Sequence, residues 1–111
     1  MKTFKSQQEV DKATVDGVLS VDGDVTFDFE NCIVSGNINA RNIKAWDINA
    51  RDINAVDINA RDIKAGDINA VDISYYAVCF AYNNIVCKKI KGRRENAKHF
   101  CLDGKITLQD A

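Results

Sequence analysis

The chain contains no proline and only one tryptophan and one histidine among its 111 residues. Proline cannot donate a backbone hydrogen bond, so its absence favours a structure in which most N–H groups donate to neighbouring strands. No run of about 18 apolar residues occurs, which argues against a membrane-spanning helix. The opening segment lacks the apolar stretch of a signal peptide. We therefore expect a cytoplasmic protein with no membrane partner.

The net charge and the cysteine content further limit the functional classes that the chain could belong to. The formal net charge of −1 gives no overall attraction to nucleic acid or to a membrane surface. The four cysteines are expected to be reduced thiols, because disulfides belong to secreted proteins. Three of them, with the histidine, leave a zinc site or a Cys–His catalytic pair as alternatives: Cys79, Cys87, His99 and Cys101. Their spacing contains no CxxC knuckle, so we predict no metal, no cofactor and no catalytic residue.

The centre of the chain repeats itself every five residues. Eight isoleucines stand five apart from Ile38 to Ile73, each preceded by Asn or Asp, and an alanine follows seven of them by two places. A period of five fits neither an α-helix nor a flat strand. It requires a chain that turns a corner every five residues, so that each repeat forms one side of a coil.

Four such sides would make a coil of 20 residues, stacked on the next at the β-sheet spacing of about 4.8 Å. Two pairs support this register, because Lys44 and Lys64 are 20 residues apart, as are Arg41 and Arg61. Residues two apart on one side face the same way. We predict that isoleucine and alanine point inward, since the opposite choice would bury three arginines in a narrow apolar core.

The predicted fold is therefore all-β, a single-domain β-solenoid of about four coils with a quadrilateral cross-section and irregular caps. Residues 1–16 are expected to be loose or to form a short helix, and residues 17–36 to form an irregular first coil. Residues 37–76 would hold the regular repeats, and residues 77–111 a C-terminal coil and cap.

The Asn/Asp–Ile pairs from Asn37 to Ile73 resemble those of the pentapeptide-repeat proteins, and they cover about one third of the chain. The resemblance implies a right-handed quadrilateral β-helix. That family usually places its small residue two positions before the large apolar one, whereas here Ala50 follows Ile48. The tail from Tyr75 to Ile106 also resembles the C-terminal ends of DINA-type repeat proteins of Firmicutes and their phages, and this resemblance implies no activity.

Charge is distributed unevenly along the chain. Residues 1–36 carry a net charge of −4, residues 37–87 carry −1, and residues 88–111 carry +4. An acidic end and a basic end permit head-to-tail association, or docking of the basic end on an acidic protein or a phosphate backbone. A second interpretation is that the cations only keep an edge strand from pairing with other chains.

No nucleophile–base or paired-acid constellation stands out, so we expect no enzyme. The favoured hypothesis is a protein-interaction module, in its specific form a phage or mobile-element inhibitor that docks on a host protein such as a nuclease. Some pentapeptide-repeat proteins imitate the DNA duplex, but the basic residues of the repeats nearly cancel their six aspartates, which disfavours mimicry. The alternative is a structural protein that self-associates end to end as a homo-oligomer.

We expect a partner to contact the outward cations and the tryptophan, whereas nucleic acid at the basic end is not favoured. The expected contact residues are Arg41, Trp46, Arg51, Arg61, Lys88, Lys89, Lys91, Arg93 and Arg94. Three tyrosines would either extend an aromatic patch around Trp46 or cover the last coil: Tyr75, Tyr76 and Tyr82.

Overall fold

The computed structural model describes residues 2–109. Within them the chain forms one helix and fifteen short strands. The helix is α1 (Gln7–Ala13), and the strands are β1 (Lys2–Phe4), β2 (Leu19–Ser20), β3 (Val25–Phe27), β4 (Asn31–Ile33), β5 (Asn37–Asn39), β6 (Asn42–Lys44), β7 (Asp47–Asn49), β8 (Asp52–Asn54), β9 (Asp57–Ala65), β10 (Asp67–Asn69), β11 (Asp72–Ala81), β12 (Ile85–Cys87), β13 (Lys89–Gly92), β14 (Lys98–Cys101) and β15 (Ile106–Leu108). No helix in this range is long and apolar enough to cross a bilayer.

All pairing between these strands is parallel, and the strands stack into three faces. Face A consists of β1, β3, β6, the first half of β9, the first half of β11, and β13. Face B consists of β4, β7, the second halves of β9 and β11, and β14. Face C consists of β2, β5, β8, β10, β12 and β15. The predicted all-β parallel solenoid is confirmed, with about five turns.

The register gives a coil of 15 residues in the regular region, because Ile38 pairs with Ile53 and Ile53 with Ile68. The predicted four-sided, 20-residue coil is therefore wrong, and the cross-section is a triangle. A period of five fixes the length of a side but not the angle of the corner. Lys44 and Lys64, which suggested the longer coil, lie on faces A and B, where each pairs with an asparagine of another coil. The right-handed sense stays a prediction.

The core consists of isoleucine side chains, which stack in one file along the inside of each of the three faces. The repeat isoleucines are at most 2% exposed, and the alanines that follow them are buried or half-buried. The predicted inward direction of isoleucine and alanine is thus confirmed. Burying one such isoleucine contributes about 1.5–3 kcal/mol, which makes these files the main source of stability.

Backbone hydrogen bonds between coils form the corners. The carbonyl of Arg41 accepts from the N–H groups of Val56 at 2.7 Å and Asp57 at 3.1 Å. The carbonyl of Trp46 accepts in the same way from Arg61 and Asp62. Both residues at a corner must donate, so proline is excluded there.

Among residues 2–109, aspartate side chains of the repeats bond the backbone at two places, and at both of them a coil lengthens. Asp62 Oδ1 accepts from the N–H of Val78, and Asp67 Oδ1 accepts from that of Asn84. At these places the spacing between paired residues grows, for example to 17 residues from Ile68 to Ile85. The aspartates therefore satisfy N–H groups that an inserted residue would otherwise leave without a partner.

Helix α1 covers one edge at the start of the solenoid. The Gln7 side-chain amide donates to the carbonyl of Ile33 at 2.6 Å and accepts from its N–H at 2.8 Å. A side chain thus takes the place of a neighbouring strand beside β4. Ser6 caps the helix by accepting from the N–H of Glu9, and Val10 is fully buried against the first coil.

The length of the coil can be tested by deletion. Removal of residues 52–66 takes out one 15-residue coil and joins Arg51 to Asp67, so every later strand keeps its face. Removal of residues 52–71 shifts every later strand to another face. We expect the first variant to keep its β-sheet circular dichroism and a cooperative thermal transition, and the second to lose both. The opposite result would restore the four-sided coil.

Candidate partner-binding site

One edge of the solenoid, between faces A and B, carries large side chains on successive coils. Arg61 N–H donates to the Trp46 carbonyl, and Arg94 N–H donates to the Tyr76 carbonyl two coils further on. We call these residues the corner column: Trp46, Arg61, Tyr76 and Arg94. Trp46 is 52% exposed and Tyr76 is 48% exposed, so the column presents aromatic and cationic groups to solvent.

Two contacts fix the Arg61 side chain within the column. Its Nε lies 3.0 Å from Asp47 Oδ1 and its Nη2 lies 2.8 Å from Asp47 Oδ2. Its guanidinium carbon lies 5.7 Å from the centroid of the Trp46 ring, a cation–π distance. The hydrogen bonds to Asp47, and then the charge of that carboxylate, raise the pKa of Arg61. The planar, bidentate contact holds the guanidinium in one orientation.

A groove of about 870 Å³ runs along face A beside the corner column. Its lining combines apolar surface with cations and one carboxylate: Thr26, Phe27, Asp28, Lys44, Ala45, Trp46, Asn59, Arg61, Tyr76 and Arg93. Arg93 reaches back over the groove, and its Nη2 donates to the carbonyl of Ala60 at 3.0 Å.

The structure brings some of the predicted contact residues together and separates the others. Trp46, Arg61 and Arg93 meet at the groove, and Arg94 extends the corner column. Arg41 and Lys88 lie at the corner between faces C and A, and Arg51 lies between faces B and C. The two remaining cations, Lys89 and Lys91, lie on face A of the last coil.

Sequence reasoning missed a second group of aromatic side chains, on the last two coils. Phe80 lies 4.9 Å from Phe100 and 4.9 Å from Tyr82, measured between ring centroids. We call these three residues the aromatic patch. Phe80 and Tyr82 could have been linked by their spacing of two, but the pairing of β11 with β14 that adds Phe100 has no signal in the repeat. Tyr75 is buried and covers the core instead.

The cysteine and histidine residues of the last coils differ in burial, from the core position of Cys79 to the exposed position of His99. Cys79 and Cys87 are buried, Cys101 is half-buried, and all are free thiols. Burial, and then the nearby thiols of Cys87 and Cys101, raise the pKa of Cys79 to about 12. His99 Nδ1 lies 2.6 Å from the Tyr75 hydroxyl, which ties the last coil to the core. Among residues 2–109, no three side chains of the metal-ligating types converge on one point.

No model of a known protein family matches the chain, and neither the curated proteins nor the solved structures contain a significant match.

Thiol burial can be checked by alkylation. The pKa of Cys32, like that of Cys79, is raised to about 12, mainly by burial. At pH 8 a thiol with that pKa is ionised in about one molecule in ten thousand. We expect iodoacetamide at pH 8 to modify Cys101 before Cys32 and Cys79 in the folded protein, and all of them after unfolding in urea. Peptide mass spectrometry measures the order, and equal native rates would contradict the burial.

Proposed function

We propose that the protein is a non-enzymatic interaction module that binds a protein partner through the corner column and its groove. The observation that carries this proposal is the alignment of Trp46, Arg61 and Tyr76, each about half exposed, on consecutive coils. Tryptophan, tyrosine and arginine are the residue types that supply most of the binding energy at protein interfaces. A corner that only faces solvent does not need side chains of these types, so three of them in one column favour a role in binding.

The scaffold favours binding because it holds these side chains in place before a partner arrives. Their backbone groups are bonded to neighbouring coils at fixed spacing, and Arg61 is further held by Asp47. A preordered surface loses less conformational entropy on association than a mobile loop does. The cations of the groove outnumber its one acidic residue, Asp28. This balance favours a partner segment that carries both acidic and apolar side chains.

Imitation of DNA has less support. The outward aspartates of the repeats alternate with neutral asparagines, as on face C, where Asn54 Nδ2 donates to Asn39 Oδ1 at 3.1 Å. Asp47 is neutralised by Arg61. A regular anionic surface like that of a duplex is therefore missing from the regular coils.

The narrower hypotheses rest on resemblance rather than on this geometry. Kinship with pentapeptide-repeat proteins is supported by the Asn/Asp–Ile pairs and by the parallel solenoid. A phage or mobile-element inhibitor acting on a host nuclease is supported by the tail alone. The free state of all four cysteines favours a reducing, cytoplasmic location.

The test is affinity capture from a bacterial lysate with matched variants. The double variant Trp46→Ala/Tyr76→Ala removes the aromatic part of the corner column. The control Val56→Ala/Val71→Ala truncates two exposed side chains at another corner. We expect the wild type and the control to retain the same protein, and the aromatic variant to retain less than about one tenth of it. Retention of the same protein by all three would refute the proposal, as would capture of nothing by the wild type.

End-to-end self-association is a second candidate, favoured by the opposite charges of the two ends. Residues 1–36 carry −4 and residues 88–111 carry +4. At the acidic end β1 and β2 each pair with one strand, while α1 covers β4. At the basic end β13, β14 and β15 each pair with one strand. Only faces A and C could therefore continue from one molecule to the next.

Sedimentation velocity at two salt concentrations tests this second candidate. Attraction between exposed charges is screened within about 10 Å at 0.1 M salt and within 3 Å at 1 M. End-to-end association should therefore give open-ended polymers in low salt that dissociate in high salt, because a heterologous contact does not close. A species whose size is the same at both salt concentrations would rule it out.

A further inference from the structure

Face B presents two columns of outward side chains, one on each side of a central column in which Cys32, Ile48, Ile63 and Cys79 are buried. The residues that precede the central ones are Asn31, Asp47, Asp62, Val78 and Lys98, and those that follow are Ile33, Asn49, Lys64, Phe80 and Phe100. Each rung, the level of one coil, thus carries one member of each column. The two members are two residues apart, about 6.6 Å along the strand.

The part of face B that lies on the last two coils is apolar and exposed. Val78 is 38% exposed, Phe100 46% and Tyr82 46%, and the neighbouring Leu102 is 62% exposed. The rings of the aromatic patch contact one another without covering the patch. An exposed cluster of this kind marks an interaction surface.

The rung below the aromatic patch carries opposite charges that are not paired with each other. Asp62 and Lys64 flank the buried Ile63, and both point outward from face B. The salt bridge found among residues 2–109 joins Arg61 to Asp47 and involves neither of them. Asp62 makes a hydrogen bond to the Val78 N–H and keeps a second carboxylate oxygen for another partner.

We propose that face B binds a second copy of this chain, face to face, about a two-fold axis parallel to the solenoid axis. Such an axis exchanges the two columns while each rung keeps its level. Every residue of one column then lies opposite the residue of the other column on the same rung of the second copy. The contact is isologous, so it closes at two chains.

The charges and apolar groups are complementary in this arrangement. Asp62 lies opposite Lys64 of the second copy and Lys64 opposite Asp62, which gives two equivalent ion pairs. On the next rung Val78 lies opposite Phe80 of the second copy. On the last rung Lys98 lies over the ring of Phe100 of the second copy. Among the described residues, no rung of face A or face C carries opposite charges on the two sides of its central residue. On face A, for example, Asp57 shares its rung with Asn59, and Lys89 shares its rung with Lys91.

The expected dimer is weak because the face is small. Five strands at a spacing of about 4.8 Å, each side about 16 Å long, give a contact of about 380 Å² on each copy, or roughly 770 Å² in total. That area lies in the range of weak, transient interfaces. We therefore expect a dissociation constant in the micromolar range and a monomer–dimer equilibrium that depends on concentration.

Sedimentation equilibrium of three variants tests the proposal. Lys64→Glu places two acidic groups opposite each other at both ion pairs and should weaken the dimer at least tenfold. Lys44→Glu makes the same charge change on face A and should leave the dissociation constant unchanged. The exchange Asp62→Lys/Lys64→Glu restores opposite charges across the axis and should return the constant to within about threefold of the wild type.

Asp62→Lys also removes the hydrogen bond to Val78, so thermal circular dichroism accompanies each measurement. If the exchanged variant does not fold, Asp62→Asn/Lys64→Glu takes its place, since asparagine keeps the acceptor and removes the repulsion. Its dimer should be stronger than that of Lys64→Glu. A wild type that is monomeric at several hundred micromolar would overturn the proposal. So would equal weakening by Lys44→Glu and Lys64→Glu, or a folded exchanged variant that stays monomeric.

These outcomes are separate from those of the partner-binding proposal. The groove lies along face A, so loss of the dimer leaves capture through Trp46 and Tyr76 intact. End-to-end polymers would grow beyond two chains and would not respond selectively to Lys64→Glu.

Discussion

The structure depends on hydrogen bonding between successive coils, in which every corner carbonyl and every strand finds its partner one coil away. At the corner of Arg41 a single carbonyl accepts from two N–H groups of the next coil, and the same contact recurs at Trp46 and Arg51. This bonding fixes which residues stack, and the stack in turn places each isoleucine above another. The spacing of the stack changes only where residues are inserted, and at two of these places an aspartate side chain accepts a hydrogen bond from a backbone N–H that the insertion frees.

Much of this fold could be predicted from the sequence, because the packing of the core constrains the sequence. The period of five, the inward isoleucines and the absence of proline all follow from the need to bury apolar groups and to pair N–H groups. The number of sides did not follow, since a corner angle depends on backbone torsions that spacing does not show. Four sides were suggested by the spacing of Lys44 and Lys64 and of two arginines, but packing does not hold exposed residues to the coil period.

The wrong number of sides also limited how much of the candidate site could be predicted. A 20-residue coil places Arg41 beside Arg61 and Trp46 beside Gly66, which has no side chain. The observed 15-residue coil places Trp46, Arg61 and Tyr76 in one column, and it sends Arg41 to a different corner. The residue types were therefore recognisable from the sequence, while their grouping required the register. Phe100 lay beyond prediction because irregular coils bring it to Phe80.

A repeat of this kind can only present small polar residues, so recognition must come from positions that depart from it. The outward asparagines of face C bond one another and offer a partner little beyond a hydrated surface. Departures from the repeat supply what that surface lacks: an aromatic ring at Trp46, a fixed guanidinium at Arg61, and the ring of Phe80 where lysine and asparagine stand in the coils below. Because the columns are rigid, one substitution places its group at a known height on a known face. Regular coils therefore set the distances between contacts, and the exceptions determine what those contacts can bind.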